Sequence, residues 1–449
     1  MKNSKSKTLI IAAMAVCMMF AGCAETSSSG TASSGSTSSS VTYTDNSSSG
    51  STSEGTAVLT NTVKTSEGSD TTVSSEGSKL DISDMFTDRD LEQTADTSEA
   101  KTITAEDGKT AEITEAGVYV ISGSAENFTV KVDAGDDDKV QIVLDGVSIT
   151  NDSTPAIYVV NADKVFVTTS SDSTLSVTGS FTADGETNTD AVIYSKEDIV
   201  LNGTASLTIN STGNGITGKD DLKITGGTYN ITSSLDAIEA NDSVRISGGT
   251  FTINSSKDGI HCENSDDSTL GYIYISGGLF NINAAGDGVQ GTTVVQIDGG
   301  ELAINASEGI EGTYIQINGG NVDISASDDG VNASQKSNAE TVTFEMTGGE
   351  LNVTMSGSDV DCIDANGNVI VSGGTINVSY PVQGPSESFD YDGTSSYTGG
   401  TVIINGEQVS EIPTPSMMGG GRGGNMGDMG DMGDMGGFGG GQRGGRMAR

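Results

Sequence analysis

The stretch Ser243-Val-Arg-Ile-Ser-Gly-Gly-Thr-Phe-Thr-Ile-Asn-Ser-Ser-Lys-Asp-Gly-Ile260 carries the pattern that decides the fold. The same order of residue types recurs between residues 220 and 405, where Gly-Gly pairs begin at positions 226, 248, 277, 299, 319, 348, 373 and 399. The pairs start 20 to 29 residues apart, and no helical pattern lies between them. A short repeat built from strands predicts a β-solenoid, whose turns stack equivalent residues in columns.

Apolar and polar residues alternate on both sides of each Gly-Gly pair, so every strand has one inward and one outward set. The first inward column after the glycines comprises Tyr229, Phe251, Phe280, Leu302, Val322, Leu351, Ile376 and Val402. Segments before Gly226 lack the pair but keep the alternation, as in Val140–Ile149. The sequence therefore predicts an all-β fold: one right-handed parallel β-helix of roughly a dozen rungs over about residues 110–410, with no long helix.

The charge balance of the chain is strongly acidic. Its 449 residues carry a formal net charge of −41, and only 5% of them are aromatic. This excludes general electrostatic attraction to nucleic acid or to an anionic membrane surface. It suits the binding of cations, or of neutral partners through specific contacts, and it favours a soluble monomer.

The N-terminus has the features of a targeting segment. Lys2, Lys5 and Lys7 precede the apolar run Leu9–Phe20, which is too short to span a bilayer comfortably. Residues 20–23, Phe-Ala-Gly-Cys, resemble a bacterial lipobox, except that Phe stands where an aliphatic residue is usual. The resemblance predicts a lipoprotein signal peptide over residues 1–22 and a lipid on Cys23, which anchors the protein to the extracellular face of the bacterial cell membrane. The alternative is an ordinary secretory signal cleaved nearby.

Two segments flank the predicted solenoid domain, which is expected to span residues 99–412. Residues 23–98 are rich in Ser, Thr and Gly without a periodic apolar pattern, which predicts a flexible tether. Residues 413–449 are rich in Gly and Met and predict a disordered tail, although Met thioethers can also bind a soft metal such as Cu(I). The two cysteines of the domain, Cys262 and Cys362, lie about four rungs or roughly 19 Å apart and are predicted to be free thiols.

An acidic column accompanies the repeat. The Asp of Asp-Gly-Ile recurs on successive rungs, and a second polar residue follows the Ile or Val. Carboxylates stacked about 4.8 Å apart repel one another unless a cation neutralises them, and calcium takes oxygen ligands at about 2.3–2.6 Å. The densest part of the column predicts a calcium site formed by Glu308, Glu311, Asp328, Asp329, Asp361 and Asp364. The alternative is that these carboxylates only cap turns through backbone N–H groups.

Tyrosines mark a candidate carbohydrate-binding face. Strand alternation turns Tyr272, Tyr274 and Tyr314 outward and puts Val294 in one column with Tyr272 and Tyr314. These two tyrosines are then about 9–10 Å apart, close to a disaccharide step, and a Tyr ring offers a flat apolar face with a polar tip. His261, the single histidine of the chain, is a further candidate contact because it lies in the polar column. The alternative is that the tyrosines cover a solvated sheet or pack under a loop such as residues 264–270.

Six segments, in order along the chain, resemble a known bacterial family: Gly117–Gly123, Val140–Asn151, Ser307–Gly312, Ser327–Ala333, Asp361–Gly367 and Phe389–Gly393. The family comprises extracellular carbohydrate-binding proteins with a pectate-lyase-like right-handed parallel β-helix, and the resemblance covers about residues 101–410. It implies binding of plant cell-wall glycans such as cellulose and polygalacturonate, bound calcium, and no lyase activity. The chain departs from the family at Cys362 and at residues 389–390.

Three other functional classes stay open beside non-catalytic binding. A lyase needs a Lys or Arg base with calcium as the electrophile, and Lys257 and Lys336 are the candidates, although neither has a second basic residue beside it. A hydrolase needs two carboxylates across a cleft, and no pair stands out. A structural surface spacer or adhesin needs neither. The expected function is non-catalytic binding of polysaccharide, because the resemblance favours it and the candidate bases are isolated.

Overall fold

The computed structural model describes residues 77–358, 360–382 and 384–415. The predicted signal peptide, the lipidation site Cys23 and nearly all of the predicted tail lie outside the described residues. The described part of the chain consists of strands and turns without an α-helix, as the sequence predicts. Within that part, no helix has the length and apolar character needed to cross a bilayer.

The strands coil into a parallel β-helix of about 11 turns, and a typical turn supplies one strand to each of three faces. The first face contains Thr110–Ile113, Thr129–Asp133, Ile157–Asn161, Ala191–Ser195, Asn214–Gly218, Ile238–Ala240, Ile260–Cys262, Val331–Ala333, Ile363–Ala365 and Asp390–Tyr391. The second contains Lys101–Thr104, Gly117–Ser122, Lys139–Asp145, Lys164–Ser171, Ile199–Gly203, Asp221–Ile224, Ser243–Ile246, Tyr272–Ile275, Thr343–Met346, Asn368–Val371 and Ser395–Tyr397. The long strands Asp287–Ile297 and Glu308–Ile317 run through both faces and join them into one 23-stranded sheet.

The third face is a separate 13-stranded sheet that follows the Gly-Gly corners. It contains Ser124–Glu126, Ser148–Asn151, Ser173–Val177, Ser206–Ser211, Thr228–Ser233, Thr250–Ser255, Leu279–Ala284, Glu301–Ala306, Asn321–Ala326, Glu350–Met355, Thr375–Ser379, Thr401–Ile404 and Glu407–Val409. All but the last of these strands run parallel. Glu407–Val409 pairs antiparallel with Thr401–Ile404 and so covers one exposed sheet edge.

Inward side chains form ladders along the axis of the solenoid. Tyr229, Phe251 and Phe280 pair in register on the third face and are at most 1% exposed. The rings of Tyr229 and Phe251 stack with centroids 5.2 Å apart, and those of Phe251 and Phe280 with centroids 4.5 Å apart. Aromatic side chains bury large apolar areas, so this column contributes strongly to the core. The predicted inward column is confirmed.

The two glycines of each Gly-Gly pair have different roles. The second adopts a positive φ, as at Gly249 (116°) and Gly320 (83°), which residues with a Cβ rarely adopt. The first lets neighbouring turns approach, because a Cβ on Gly319 would lie 2.3 Å from the carbonyl oxygen of Asp298 in the previous turn. The corner therefore fixes both the direction of the chain and the close spacing of the turns, which keeps the columns aligned.

Residues 78–93 form a strap that lies along the second face. Two backbone N–H groups near its start donate to the side chains of Gln316 and Gln296, each at 2.8 Å. Near its other end, the backbone N–H of Gly203 donates to the side-chain oxygen of Gln93 at 3.1 Å. The sequence assigns these residues to the tether, whereas the structure packs them against the solenoid, so the packed domain includes residues before 99.

Cys262 and Cys362 are both buried free thiols, as the spacing of the turns predicts. Burial raises the pKa of the Cys362 thiol to about 12 and also raises that of Cys262. Both thiols are therefore protonated and inert packing groups in the folded protein.

Candidate functional site

Two polar columns run side by side along the first face. The acid column comprises Asp236, Asp258, Asp287, Glu308, Asp329 and Asp361. The outer column, three residues later in each turn and in register along the axis, comprises Thr217, Glu239, His261, Gln290, Glu311, Asn332, Asp364 and Asp390. A glycine between the two columns lets the backbone pack closely against the core. At Gly288, which lies between Asp287 and Gln290, a Cβ would be 2.3 Å from Cγ2 of Ile304.

Several carboxylates of the acid column cap the next turn. The backbone N–H of Asp258 donates to Oδ1 of Asp236 at 3.0 Å, and that of Asp287 donates to Oδ1 of Asp258 at 2.9 Å. The same contact joins the N–H of Asp361 to Oδ1 of Asp329 at 3.1 Å. Turn capping, the alternative to a metal site, is therefore present. It uses one oxygen of each of these carboxylates, and the second oxygens of Asp236 and Asp258 lie near His261 of the outer column.

Asp287, Glu308 and Glu311 form a cluster in the middle of the first face. Each offers an oxygen, and these three oxygens lie within 4.8 Å of one another. Asp287 pairs with Glu308 across neighbouring turns, while Glu311 follows on the same strand as Glu308 and is 5% exposed. Carboxylates at this separation suit a shared hard cation such as calcium. The structure thus brings the predicted ligands Glu308 and Glu311 together. It adds Asp287, which belongs to the same column in the sequence but was not among the predicted ligands.

Polar neighbours surround this cluster. Gln290 donates through Nε2 to Oδ2 of Asp287 at 2.6 Å, and Asn332 donates through Nδ2 to Oε2 of Glu308 at 2.9 Å. The ammonium of Lys336 lies 2.7 Å from Oε2 of Glu311. These contacts hold the carboxylates in place but supply one positive charge against three acids.

The electrostatics of the cluster follow from that imbalance. Burial, followed by the charges of Glu308, Asp258 and Glu311, raises the pKa of Asp287 to about 8. Burial also raises the pKa of Glu308, with Glu311 adding to the effect and the hydrogen bond from Asn332 opposing it. A proton or a bound cation would each reduce this repulsion, and the oxygen donor set fits calcium.

A second acidic group lies further along the same face. Burial raises the pKa of Asp329 to about 7, although the hydrogen bond from the N–H of Asp361 opposes the shift. Burial and then the charges of Asp329 and Asp390 raise the pKa of Asp364 to about 7. Of the two other predicted ligands, Asp361 is partly buried and accepts from the backbone N–H of Glu387 at 2.6 Å, whereas Asp328 is exposed. The predicted set is therefore divided along the face, and Asp390, which sequence reasoning missed, is found by continuing the outer column by one turn.

His261 lies in a third group with Asp236 and Asp258. Its Nδ1 is 3.6 Å from Oδ2 of Asp236 and 3.9 Å from Oδ2 of Asp258, and the residue is 7% exposed. The ammonium of Lys257 lies 2.8 Å from the same Asp236 oxygen. His261 is therefore on the first face, whereas the tyrosines predicted with it are on the second.

Lys257 is poorly suited to act as a general base. Burial by itself would lower the pKa of its ammonium, but the hydrogen bond to Asp236 and the charges of Asp236 and Asp258 raise it above its usual value. Lys336, the other candidate, is held by Glu311 in the ion pair described above. Both lysines thus act as partners of carboxylates in this structure.

The predicted tyrosine face is covered. Tyr274 is 5% exposed, lies 6.3 Å from the ring of Phe86 in the strap, and donates to Oδ2 of Asp298 at 3.1 Å. The ammonium of Lys79 lies 4.5 Å from the ring centroid of Tyr314, whose hydroxyl donates to Glu345 at 2.7 Å.

The columns of these tyrosines follow the predicted geometry. Val294 stands between Tyr272 and Tyr314 in register, and Arg245 packs over the ring of Tyr272 at 5.4 Å. For Tyr274 and Tyr314 the covering segment is the strap, which no local signal in the sequence links to this face.

A family model named for carbohydrate-binding domain-containing proteins matches residues 107–357 and 306–412. The chain belongs to this carbohydrate-binding family. A curated carbohydrate-binding domain-containing protein of Acetivibrio thermocellus is 36% identical over 124 residues, which cover 26% of this chain and 43% of the relative. The chain therefore matches less than half the length of that relative. A solved structure described as the polysaccharide lyase-like protein from C. thermocellum, in a gadolinium derivative, has 31% identity and a TM-score of 0.44, covering 46% of this chain and 90% of that chain.

Proposed function

We propose that this member of the carbohydrate-binding family binds polysaccharide without cleaving it, with calcium on the first face. The observation that carries the proposal is the cluster of Asp287, Glu308 and Glu311, whose oxygens lie within 4.8 Å of one another on a chain that belongs to a carbohydrate-binding family. These three residues would hold the ion, and Asp329, Asp361 and Asp364 would form a second, neighbouring site. Glu308, Glu311, Asp329, Asp361 and Asp364 are thus kept from the predicted set, and Asp328 contributes charge from outside.

Bound calcium has two effects in this proposal. It neutralises carboxylates that otherwise repel one another across turns, and it offers coordination positions to oxygen atoms from outside the protein. Calcium takes six to eight oxygens, and the described cluster supplies fewer, so hydroxyl or carboxylate oxygens of a glycan can complete the shell. The glycan class we propose is of the plant cell-wall type, cellulose or pectin-like.

The absence of catalysis in this proposal rests on the lysines. A lyase needs a base that gives up its proton at working pH, but the pKa of Lys257 is raised and Lys336 is paired with Glu311. A polysaccharide lyase or hydrolase on the same scaffold is the second candidate, since the carboxylates and a bound ion are parts of such sites. A structural spacer or adhesin is the third.

The test is affinity electrophoresis of the full chain against a panel of glycans, in calcium and in chelator. We expect calcium-dependent retention by at least one glycan of the panel. Glu311→Gln should weaken that retention, whereas Glu350→Gln, the same change on the exposed third face, should not. Release of unsaturated or reducing ends would instead establish an enzyme, and no retention by any glycan would favour the spacer.

We further propose that the protein is a monomeric lipoprotein on the extracellular face of the bacterial cell membrane. The support is the signal-like segment and Cys23 in the sequence. Cys23→Ser should move the protein from the membrane fraction to the soluble fraction of the cell surface or medium. An unchanged membrane fraction would contradict lipid anchoring.

A further inference from the structure

The strap runs along the solenoid axis and crosses the turns of the second face one after another. It contacts Gln316 and Gln296 near its start, Tyr274 in its middle and Thr225 and Gly203 near its end. About seven strands of the second face lie under this path, which corresponds to roughly 29 Å at strand spacing. An extended polymer bound in this groove would follow the same path.

The strap is weakly attached compared with the sheet beneath it. It forms no strand, and within residues 78–93 only Met85 and Asp90 are buried. Leu91, an apolar residue, is 47% exposed. A segment with few buried apolar contacts can open locally at a lower free energy than the whole domain. The solenoid core does not depend on the strap, because the inward ladders are on the other side of the sheet.

The face under the strap has the chemistry of a carbohydrate groove. Its outward side chains include amides, aromatic rings and cations, among them Phe166, Lys223, Tyr274, Gln296, Tyr314 and Gln316. Carboxylates of the same face pair with some of the others, as Asp198 does with Lys164 and Asp221 with Arg245. The Gln316 amide contacts backbone at the start of the strap: Oε1 accepts from the N–H of Lys79 at 2.8 Å, and Nε2 donates to the carbonyl of the preceding Gly77 at 2.9 Å as well as to Oε2 of Glu345 at 2.7 Å. Without the strap, the Oε1 atoms of Gln296 and Gln316 lose the backbone N–H groups of residues 79 and 80 and offer acceptors to sugar hydroxyls, while their Nε2 atoms keep Asp298 and Glu345 as partners, and the rings offer flat faces for sugar stacking.

Asp90 of the strap occupies the most charged part of the groove. Its carboxylate is 0% exposed, with Oδ2 3.5 Å from Nζ of Lys223 and Oδ1 3.7 Å from Nζ of Lys164. Oδ1 has no hydrogen-bond partner, so the contact there is electrostatic and imperfect. The ammonium groups of Lys164 and Lys223 on the second face thus lie beside the buried carboxylate that the strap supplies. This arrangement stands out in a chain of net charge −41. A uronate carboxylate has the same charge and a similar size, which suits it to this position.

The strap also leaves space beside it. A cavity of about 400 Å³ lies where residues 93–97 leave the sheet, and it is lined by Val120, Val143 and Thr168 of the second face. The cavity therefore leaves room for a ligand beside the end of the strap, where Gln93 contributes to the lining.

We propose that the second face is a groove for carboxylate-bearing polysaccharide and that the strap is an intramolecular occupant which such a chain displaces. The proposal rests on the proposed polysaccharide-binding function and adds a second site, with its own regulation, to the calcium-dependent first face. A groove closed for about 90% of the time binds about ten-fold more weakly than an open one, because the apparent affinity falls with the competent fraction.

The test measures retention of the full chain by polygalacturonate in chelator, so that calcium on the first face cannot contribute. Asp90→Asn should increase the affinity about ten-fold, because it loosens the strap. Asp96→Asn is the matched control, since Asp96 makes the same charge change but is exposed and bonds only to Ser98. Adding Lys223→Met to Asp90→Asn should abolish the gain. Retention by a neutral cellulose derivative should be the same in all variants.

A second variant and a measurement on the unmodified chain keep the result decisive if Asp90→Asn folds poorly. Replacing residues 78–93 by a Gly/Ser sequence of equal length should give the same gain. In the unmodified protein, polygalacturonate should increase trypsin cleavage at Arg89. Equal gains in Asp90→Asn and Asp96→Asn, or no gain in both strap variants, would overturn the proposal. Calcium-dependent retention of the unmodified chain decides the proposed function separately, so the two can fail independently.

Discussion

Removal of calcium at different pH values tests the first face most directly. Asp287, with a pKa of about 8, and Asp329 and Asp364, with pKa values of about 7, must lose protons before they can hold an ion. These folded-state values are above the ordinary value of 3.8, so each group favours folding when protonated. In chelator, their stabilising contribution is complete below about pH 4 and is lost as the pH rises through 7 to 8.

The expected size of the calcium effect follows from mass action. Calcium at a hundred times its dissociation constant stabilises the folded protein by about 2.7 kcal/mol. The described part of the chain, roughly 340 residues, has an unfolding entropy of about 0.7 kcal/mol per degree at the usual value per residue, so the melting temperature should rise by about 4 °C at pH 8. At pH 5 protons compete with calcium for Asp287, so the calcium affinity should fall by roughly ten- to a hundred-fold. Solvent screening of this partly exposed group makes the fall smaller than its full pKa shift would give. The rise should then shrink to below about 2 °C.

Differential scanning calorimetry of the full chain at pH 5 and pH 8, with calcium or chelator, measures this difference. Asp287→Asn should remove much of the calcium effect at pH 8 and flatten the pH dependence in chelator. Asp323→Asn, the same substitution on the exposed third face, is the matched control. Equal melting in calcium and chelator at pH 8 would show that the acid column only caps turns. An effect of equal size at pH 5 and pH 8 would refute the role given to the protons of these carboxylates.

Three further predictions concern the solenoid itself. Gly319→Ala should lower the free energy of unfolding by about 2 kcal/mol or more in urea denaturation, because the new Cβ would lie 2.3 Å from a carbonyl oxygen. A change below about 0.5 kcal/mol would contradict the close approach of the turns. Phe251→Ala should lower the free energy of unfolding by about 3–5 kcal/mol in the same assay. Thr252→Ala, at the outward neighbour, should change it by less than about 0.5 kcal/mol. Similar losses for both variants would refute the assignment of inward and outward faces. Cys262 and Cys362 should react with a thiol reagent only after denaturation, since both are 0% exposed, and rapid labelling of the native protein would be inconsistent with their burial.

The strand and column pattern could be predicted because it is local. Alternation along a strand and the spacing of Gly-Gly pairs repeat within about one turn of the solenoid, so they assign Phe251 and Phe280 to the core without knowledge of the fold. The same stacking logic placed Val294 between Tyr272 and Tyr314, and it found the acid column.

The composition of the candidate sites could not be predicted in the same way. The sequence pattern puts Asp287 and Glu308 in one column, but it does not show that oxygens of Asp287, Glu308 and Glu311 converge within 4.8 Å while Asp328 is exposed. That grouping depends on the register of neighbouring strands and on how far each carboxylate is buried.

The sequence by itself determined the repeat, the inward ladders and the acidic character of one face, because strand periodicity and glycine corners are short-range properties. Only the tertiary structure decided that the strap covers Tyr274 and Tyr314. That contact joins residues far apart in the chain, as between Lys79 and Gln316, which are 237 positions apart. It depends on burying Asp90 against Lys164 and Lys223, a match of charge and position that no local pattern encodes.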